Sequence, residues 1–293
     1  MKRKTLAGKG TKTIGLIVPE IISSYFAQMV NYIEAELKSL NYSLIIGVTH
    51  HNYEAEVQHI GTLITKKVDG IILAGSMHKQ IEEQLVFVKN KYNMPMVLIQ
   101  TLANYPGYNC IIIDDKYGFL NAIELLSTLG HTRIGFVADE ESARLRFEFF
   151  KSSMLEKGMV IDNNFIKIGK ERFEYGGYLR MKELLEQKTI PTAVFSAYDN
   201  VAIGVMKAVQ ESGLSIPEDI SIVSFDNIRE SEYLYNPLTT ISPPIKDMCR
   251  IGVKLLIEKV KDKDNKLIQH ISLKPELIIR NTTASIKTVQ VIA

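Results

Sequence analysis

The run Ile14-Gly15-Leu16-Ile17-Val18, then Tyr25-Phe26, Met29-Val30, Ile33, Leu37 and Leu40, then Ser43-Leu44-Ile45-Ile46-Gly47-Val48, decides the fold of this 293-residue chain. The outer pieces are apolar runs of strand length, and the middle one repeats at the spacing of a helix buried along one face. A strand, a helix and a second strand in such short order predict a right-handed crossover in a parallel sheet. The pattern recurs as helix 53–67, strand 70–74 introduced by Val68-Asp69-Gly70, helix 79–92 and strand 95–100. Strand Cys110–Ile113 then ends on Asp114-Asp115, and a helix from Tyr117 to Leu129 leads into Gly130-His131. A second set follows: strand Ile134–Val137, helix 143–157, strand 165–168, helix 175–187, strand 193–197, helix 200–212 and strand Ser221–Phe225. Two such sets predict an α/β protein of two doubly wound parallel-sheet lobes. Beyond Asp226 come an irregular stretch and a short strand at Leu238–Ile241. Pro243-Pro244 then cannot continue a sheet and starts a helix reaching Lys261, before terminal strands near 268–280.

Composition narrows the function classes. With 46% apolar and 23% charged residues the chain is an ordinary globular one, which excludes disordered and disulfide-scaffold proteins. Residues 1–12 carry five basic residues and no acid, so the formal charge of +2 leaves −3 for the remaining 281. The body therefore reads as mildly acidic, with no nucleic-acid footprint of its own, behind a short basic leader. Cys110 and Cys249 are expected as two separate buried thiols. The apolar run after the leader stops at Glu20, too short for a secretory signal, and no stretch of about 18 apolar residues could span a bilayer. A cytoplasmic protein is expected. No Gly-x-Gly-x-x-Gly follows the first strand and no phosphate-cradling loop or nucleophile with its base is visible, so neither an enzyme nor a bound cofactor is expected. His50-His51 is the nearest thing to a metal pair, and adjacent residues at a strand end point apart, so no metal site is expected.

Further stretches carry a specific resemblance. They are Thr11-Lys12-Thr13-Ile14-Gly15-Leu16-Ile17-Val18-Pro19 with Tyr25-Phe26, then Val68-Asp69-Gly70-Ile71-Ile72-Leu73, Ile113-Asp114-Asp115 and Leu129-Gly130-His131. Pro191-Thr192-Ala193-Val194-Phe195 with Asp199, Ala202 and Gly204 follows, then Pro217-Glu218-Asp219-Ile220-Ser221-Ile222-Val223 with Phe225-Asp226-Asn227, and Pro237-Leu238-Thr239-Thr240-Ile241. In this order over residues 11–283 the chain resembles the effector-binding core of the LacI/GalR family of bacterial transcriptional repressors. The resemblance implies a periplasmic-binding-protein-like fold with a ligand cleft between the lobes, the first being 13–114 plus 244–270 and the second 115–243 plus 271–286. Residues 287–293 would be a tail and residues 1–12 the remnant of a DNA-contacting hinge, with Leu6 at the place of the hinge leucine and the helix-turn-helix missing. It also implies a homodimer, with operator DNA bound only by a full-length protein.

Residues just past the carboxyl ends of strands face the ligand in such sheets. Those candidates are Ser24, Tyr25, Phe26, Ser76, Asp114, Tyr198, Asp199 and Asp226, and the resemblance adds Arg146 and Arg172. Without it Arg146 reads as a solvated helix arginine, and Tyr25 and Phe26 as core at helical spacing. Several positions depart from the family pattern: Phe149 replaces a small residue, Arg172 an aromatic ring, Tyr198 a small amide and Pro243 a glutamine. The loop before helix 143 is short and acidic, with Asp139, Glu140 and Glu141. Two arginines in one site favour a sugar phosphate or sugar acid over a neutral sugar, with a purine ranked below these. The adjacent acids would equally pair with Arg172 and leave the site neutral. The expected function is effector sensing by a transcriptional regulator; the alternative is the solute-binding protein of a sugar transporter.

Overall fold

A computed structural model of the chain describes residues 10–101, 105, 107–262 and 264–286. It divides into two compact units, one formed by Met1–Ile113 with Pro244–Leu273 and the other by Asp114–Pro243 with Lys274–Ala293.

The first unit holds a six-stranded, all-parallel sheet built from β1 (Thr13–Val18), β2 (Ser43–Val48), β3 (Gly70–Ala74), β4 (Met96–Ile99), β5 (Asn109–Ile113) and β11 (His270–Leu273). Its spatial order is β11-β5-β4-β3-β1-β2. β3 and β4 are buried at every residue, which is why they read as unbroken apolar runs: helices cover both faces. Helix α1 (Ser24–Ser39) turns Tyr25, Met29, Ile33 and Leu37 inward, and the Ser23 hydroxyl accepts from the Phe26 amide to start it. Helices α2 (Tyr53–Thr65) and α3 (Ile81–Tyr92) follow in the same way. Helix α8 (Ile245–Lys261) returns from far down the chain to bury Met248, Cys249, Val253 and Leu256. Strand β11 pairs wholly with β5, so the chain leaves this unit after Leu273 and not at His270.

The second unit repeats the plan with β6 (Ile134–Asp139), β7 (Ile166–Gly169), β8 (Ala193–Ser196), β9 (Ser221–Phe225), β10 (Thr239–Ser242) and β12 (Glu276–Ile278), in the order β12-β10-β9-β8-β6-β7. Only the β10–β12 pair is antiparallel. Its helices are α4 (Asp115–Thr128), α5 (Glu140–Glu156), α6 (Phe173–Leu185) and α7 (Asp199–Glu211). The core is a phenylalanine stack, Phe119 against Phe195 at 4.5 Å and Phe136 against Phe150 at 5.0 Å. Phe149 joins it from α5, 6.0 Å from Phe119. The acidic loop expected before residue 143 is instead the start of α5. The Asp139 carboxylate accepts from the Ser142 amide, and Glu140 and Glu141 sit in the first turn, where the helix dipole favours acids. Cys110 and Cys249 are buried free thiols, and no helix among the described residues is long and apolar enough to cross a membrane.

Candidate functional site

Parallel strands deliver their following residues to one edge, and in the second unit that edge gathers most of the candidates. Arg146 reaches it from the second turn of α5. One guanidinium nitrogen, Nη1, donates to the Ala197 carbonyl at 2.6 Å, and the other, Nη2, to Asp226 Oδ1 at 2.9 Å. The plane of the fork lies over the Phe225 ring, 4.3 Å from its centre. Both side chains are well covered, at 15% and 7% exposed. Burial pushes the Asp226 carboxyl up to about 7, against the pull of Arg146 and with Asp199 and Asp115 adding to the rise. Asp226 also has a φ of +110°, a left-handed backbone that costs a non-glycine residue about 1–3 kcal/mol. Its amide bond to the Ile241 carbonyl, at 2.8 Å, and the arginine on its side chain hold it there.

A second group centres on Asp139, which is 1% exposed at the end of β6. Its Oδ2 accepts from the Tyr198 hydroxyl at 2.6 Å, and that hydroxyl oxygen accepts from the Phe173 amide at 3.0 Å. Burial, reinforced by Asp139, pushes the Tyr198 hydroxyl well above its ordinary value. Arg172 brings Nε within 3.9 Å of Asp139 Oδ1, with its guanidinium 4.6 Å from the Phe173 ring centre. The tyrosine thus pins the starts of α5, α6 and α7 to one another. Asp114 caps α4 by accepting from the Tyr117 amide at 3.1 Å. Beside it, Asp115 has a buried Oδ1 with no hydrogen-bond partner among the described residues. Burial raises that carboxyl to about 6, Arg146 opposing.

Asp199 lies apart from this group. It is fully buried and accepts from the Ile228 amide at 2.9 Å, the Ser231 hydroxyl at 2.6 Å and the Thr240 hydroxyl at 2.6 Å. Its acceptors are spent on anchoring the segment after Asp226 and strand β10. Burial pushes its carboxyl up, and the three donors pull the other way.

In the first unit the carboxyl edge forms its own group. Ser24 opens α1, the Tyr25 hydroxyl is hydrogen bonded to Gln100 Oε1, and Phe26 meets Tyr25 edge-on at 5.2 Å. The Phe26 ring lies over Gly75, whose φ of +71° and lack of a Cβ make room for it. Buried Ser76 donates to Glu56 Oε1 at 2.8 Å, and burial raises the Glu56 carboxyl to about 7. Leu6 lies outside the described residues.

Reading the sequence left out Asp139 as a hub, Asp115, Glu56 and the Phe225 platform. Asp139 had a usable signal, since a carboxylate closing a strand before an acidic helix start is a cap pattern. The others become visible only when strands distant in sequence are brought side by side.

Residues 123–283 match the family model for a periplasmic binding protein-like domain. The whole chain is similar to the HTH-type transcriptional repressor PurR of Haemophilus influenzae, 34% identical over 291 residues, 97% of this chain and 84% of that protein. It is 30% identical to the ribose operon repressor of the same organism, covering 97% of this chain and 85% of that one. Among solved structures it resembles a LacI family transcriptional regulator from Enterococcus faecium with bound ribose, with a TM-score of 0.80 and 28% identity over 94% of this chain and 100% of that chain.

Proposed function

The chain belongs to the LacI family of transcriptional regulators and carries its periplasmic-binding-protein-like domain, and from that premise we propose that it senses a neutral, sugar-sized polyol. The observation that carries this reading is the charge balance at the carboxyl edge of the second sheet. Arg146 is matched by Asp226 and Arg172 by Asp139, so the two arginines that favoured an anionic effector arrive with their charges already met. A guanidinium fork beside carboxylates offers donors and acceptors at the spacing of vicinal hydroxyls, and the partnerless Asp115 oxygen is an acceptor suited to one more O–H. The relatives divide between a purine repressor by name and ribose-linked regulators. A purine calls for flat aromatic faces, whereas Arg172 stands where the family pattern places a ring. This supports the sugar over the base.

The effector acts by binding one conformation better than another, and its differential affinity sets how far operator binding shifts. On this reading the operator is bound by a homodimer. A thermal-shift panel of ribose, other pentoses, hexoses, ribose 5-phosphate and hypoxanthine tests the reading. A neutral sugar is expected to raise the melting temperature, and Arg146→Ala/Asp226→Ala to fold and lose that shift. A shift confined to the phosphate ester or the base, or retained in the double variant, overturns it.

A further inference from the structure

In a parallel sheet every helix runs back to the edge where the next strand begins, so helix carboxyl ends collect at the strands' amino edge. In the first unit these ends are Lys38 on α1, Lys66 capping α2, Lys89 and Lys91 on α3, and Lys259 and Lys261 on α8. All but half-buried Lys259 are exposed. None of the six pairs with a carboxylate among the described residues. Lys259 donates to the Asn265 and Leu267 carbonyls at 2.6 and 2.7 Å and Lys89 to the Gly107 carbonyl at 3.2 Å, contacts that leave the charge uncancelled. Asp69, beside the start of β1, is taken by the amides of Thr11 and Lys12.

Helix dipoles favour lysine at carboxyl ends anywhere, so the second unit is the control. Take the last turn of each helix and the loop into the next strand. Among the described residues the first unit then has eight lysines, the six above with Lys67 and Lys266, facing five acids, Glu36, Asp69, Glu258, Asp262 and Asp264. The second has four basic residues, Arg133, Lys157, Lys182 and Lys188, facing seven acids that include Glu211, Glu218 and Asp219. Its Lys157 is moreover paired with Glu124 at 3.1 Å. Same plan, same dipoles, opposite sign: the basic edge is particular to the first unit. Burial and the like charge of Lys89 lower the Lys259 ammonium, with Asp262 opposing them in part.

We propose that the amino edge of the first sheet is a docking surface for the phosphate backbone of duplex DNA, engaged without reading its sequence. The choice of duplex rests on the operator-regulator reading above; the surface stands on the charge pattern alone. β1 starts on this edge, and the exposed Lys12 just before it adds to the same field.

The test is fluorescence anisotropy with a random-sequence duplex of about 30 base pairs, titrated between roughly 50 and 200 mM salt. It uses the full chain with Lys2, Arg3, Lys4 and Lys9 replaced by glutamine to silence the leader. Lys38→Glu/Lys91→Glu/Lys261→Glu is expected to weaken binding at least about tenfold at the lowest salt and to flatten the log–log salt slope by about 2–3. Lys151→Glu/Lys182→Glu/Lys188→Glu makes the same charge change on the second unit and is expected to stay within about twofold. Equal losses in the two variants, no loss in either, or tighter binding of a single-stranded RNA of the same length than of the duplex overturns the proposal. The effector thermal shift, unchanged in the edge variant, confirms its fold. If that shift is absent from the parent chain while the anisotropy series behaves as expected, the effector reading alone fails.

Discussion

Arg146 and Asp226 stabilise each other only as a pair. Removing one partner of a buried ion pair costs about 3–5 kcal/mol because the other charge is stranded, while removing both costs less. Arg146→Ala alone is therefore expected to lower the denaturant midpoint more than the double alanine variant does, a comparison read directly from urea melts. Glu56 offers a cleaner test of burial, since it faces a serine and no cation. Its carboxyl rises from 4.5 to about 7 in the fold, so across that window the folded state holds a proton the unfolded state has lost. Stability must then fall as pH rises, by ~3 kcal/mol in full. Glu56→Gln is expected to match the parent near pH 5 and to melt higher at pH 8; equal melting temperatures at both would show that the carboxylate is not desolvated. Asp226 was legible because it closes a strand in the run Phe225-Asp226-Asn227, and Arg146 only through the family resemblance, since alone it reads as a solvated helix arginine. The inward role of Asp199 was not, because its donors lie 29, 32 and 41 positions away and only the finished sheet brings them to it.

Elements were legible wherever apolar periodicity decided them, and less so where a cap or a close approach did. α5 begins at Glu140 because a side-chain oxygen closes its first turn, a local bond that outweighs the polar character that made the segment look like a loop. α6 and α7 pack backbone to backbone: a Cβ on Gly204 would stand 1.8 Å from the Glu174 carbonyl, and one on Gly177 2.0 Å from that of Val201. Such contacts leave the helices nowhere to go. Gly204→Ala is expected to cost about 3 kcal/mol or more, measured by thermal or urea unfolding. Gly61, exposed in the middle of α2 with open space where its Cβ would be, makes the opposite case. Gly61→Ala is expected to stabilise by about 0.5–1 kcal/mol through helix propensity and reduced chain entropy. A destabilised Gly61→Ala or a neutral Gly204→Ala would contradict the packing described.

At the scale of the molecule, the two-sheet plan could be read from the order of runs, but net charge could not show what the fold does with it. A chain of +2 whose body sums to −3 reads as indifferent to polyanions, yet the crossovers gather eight of its described lysines on one edge of one sheet. The chain order has a second consequence. The first unit is completed from outside its own stretch of sequence: α8 contributes eight buried residues, packed against α1 as well as β3, β4 and β5, and β11 covers the free edge of β5. A fragment of residues 1–113 would expose that face and leave β5 as a bare strand edge, and a small domain has no stability to spare for such a loss. The stretch 114–243 keeps five strands and four helices of its unit, losing edge strand β12 and the hydrogen bonds of the segment after it, among them those of Arg280 to Leu238 and Asn227, of Thr282 to Thr239 and Ile222, and of Ala284 to His131. The 1–113 fragment is accordingly expected to show no cooperative melt and to bind a hydrophobic dye, and 114–243 to melt cooperatively at a lower temperature than the whole chain. Adding a peptide of residues 244–273 should restore a transition to the first fragment. A cooperative melt of 1–113 alone near the temperature of the intact chain would show that its core closes without α8.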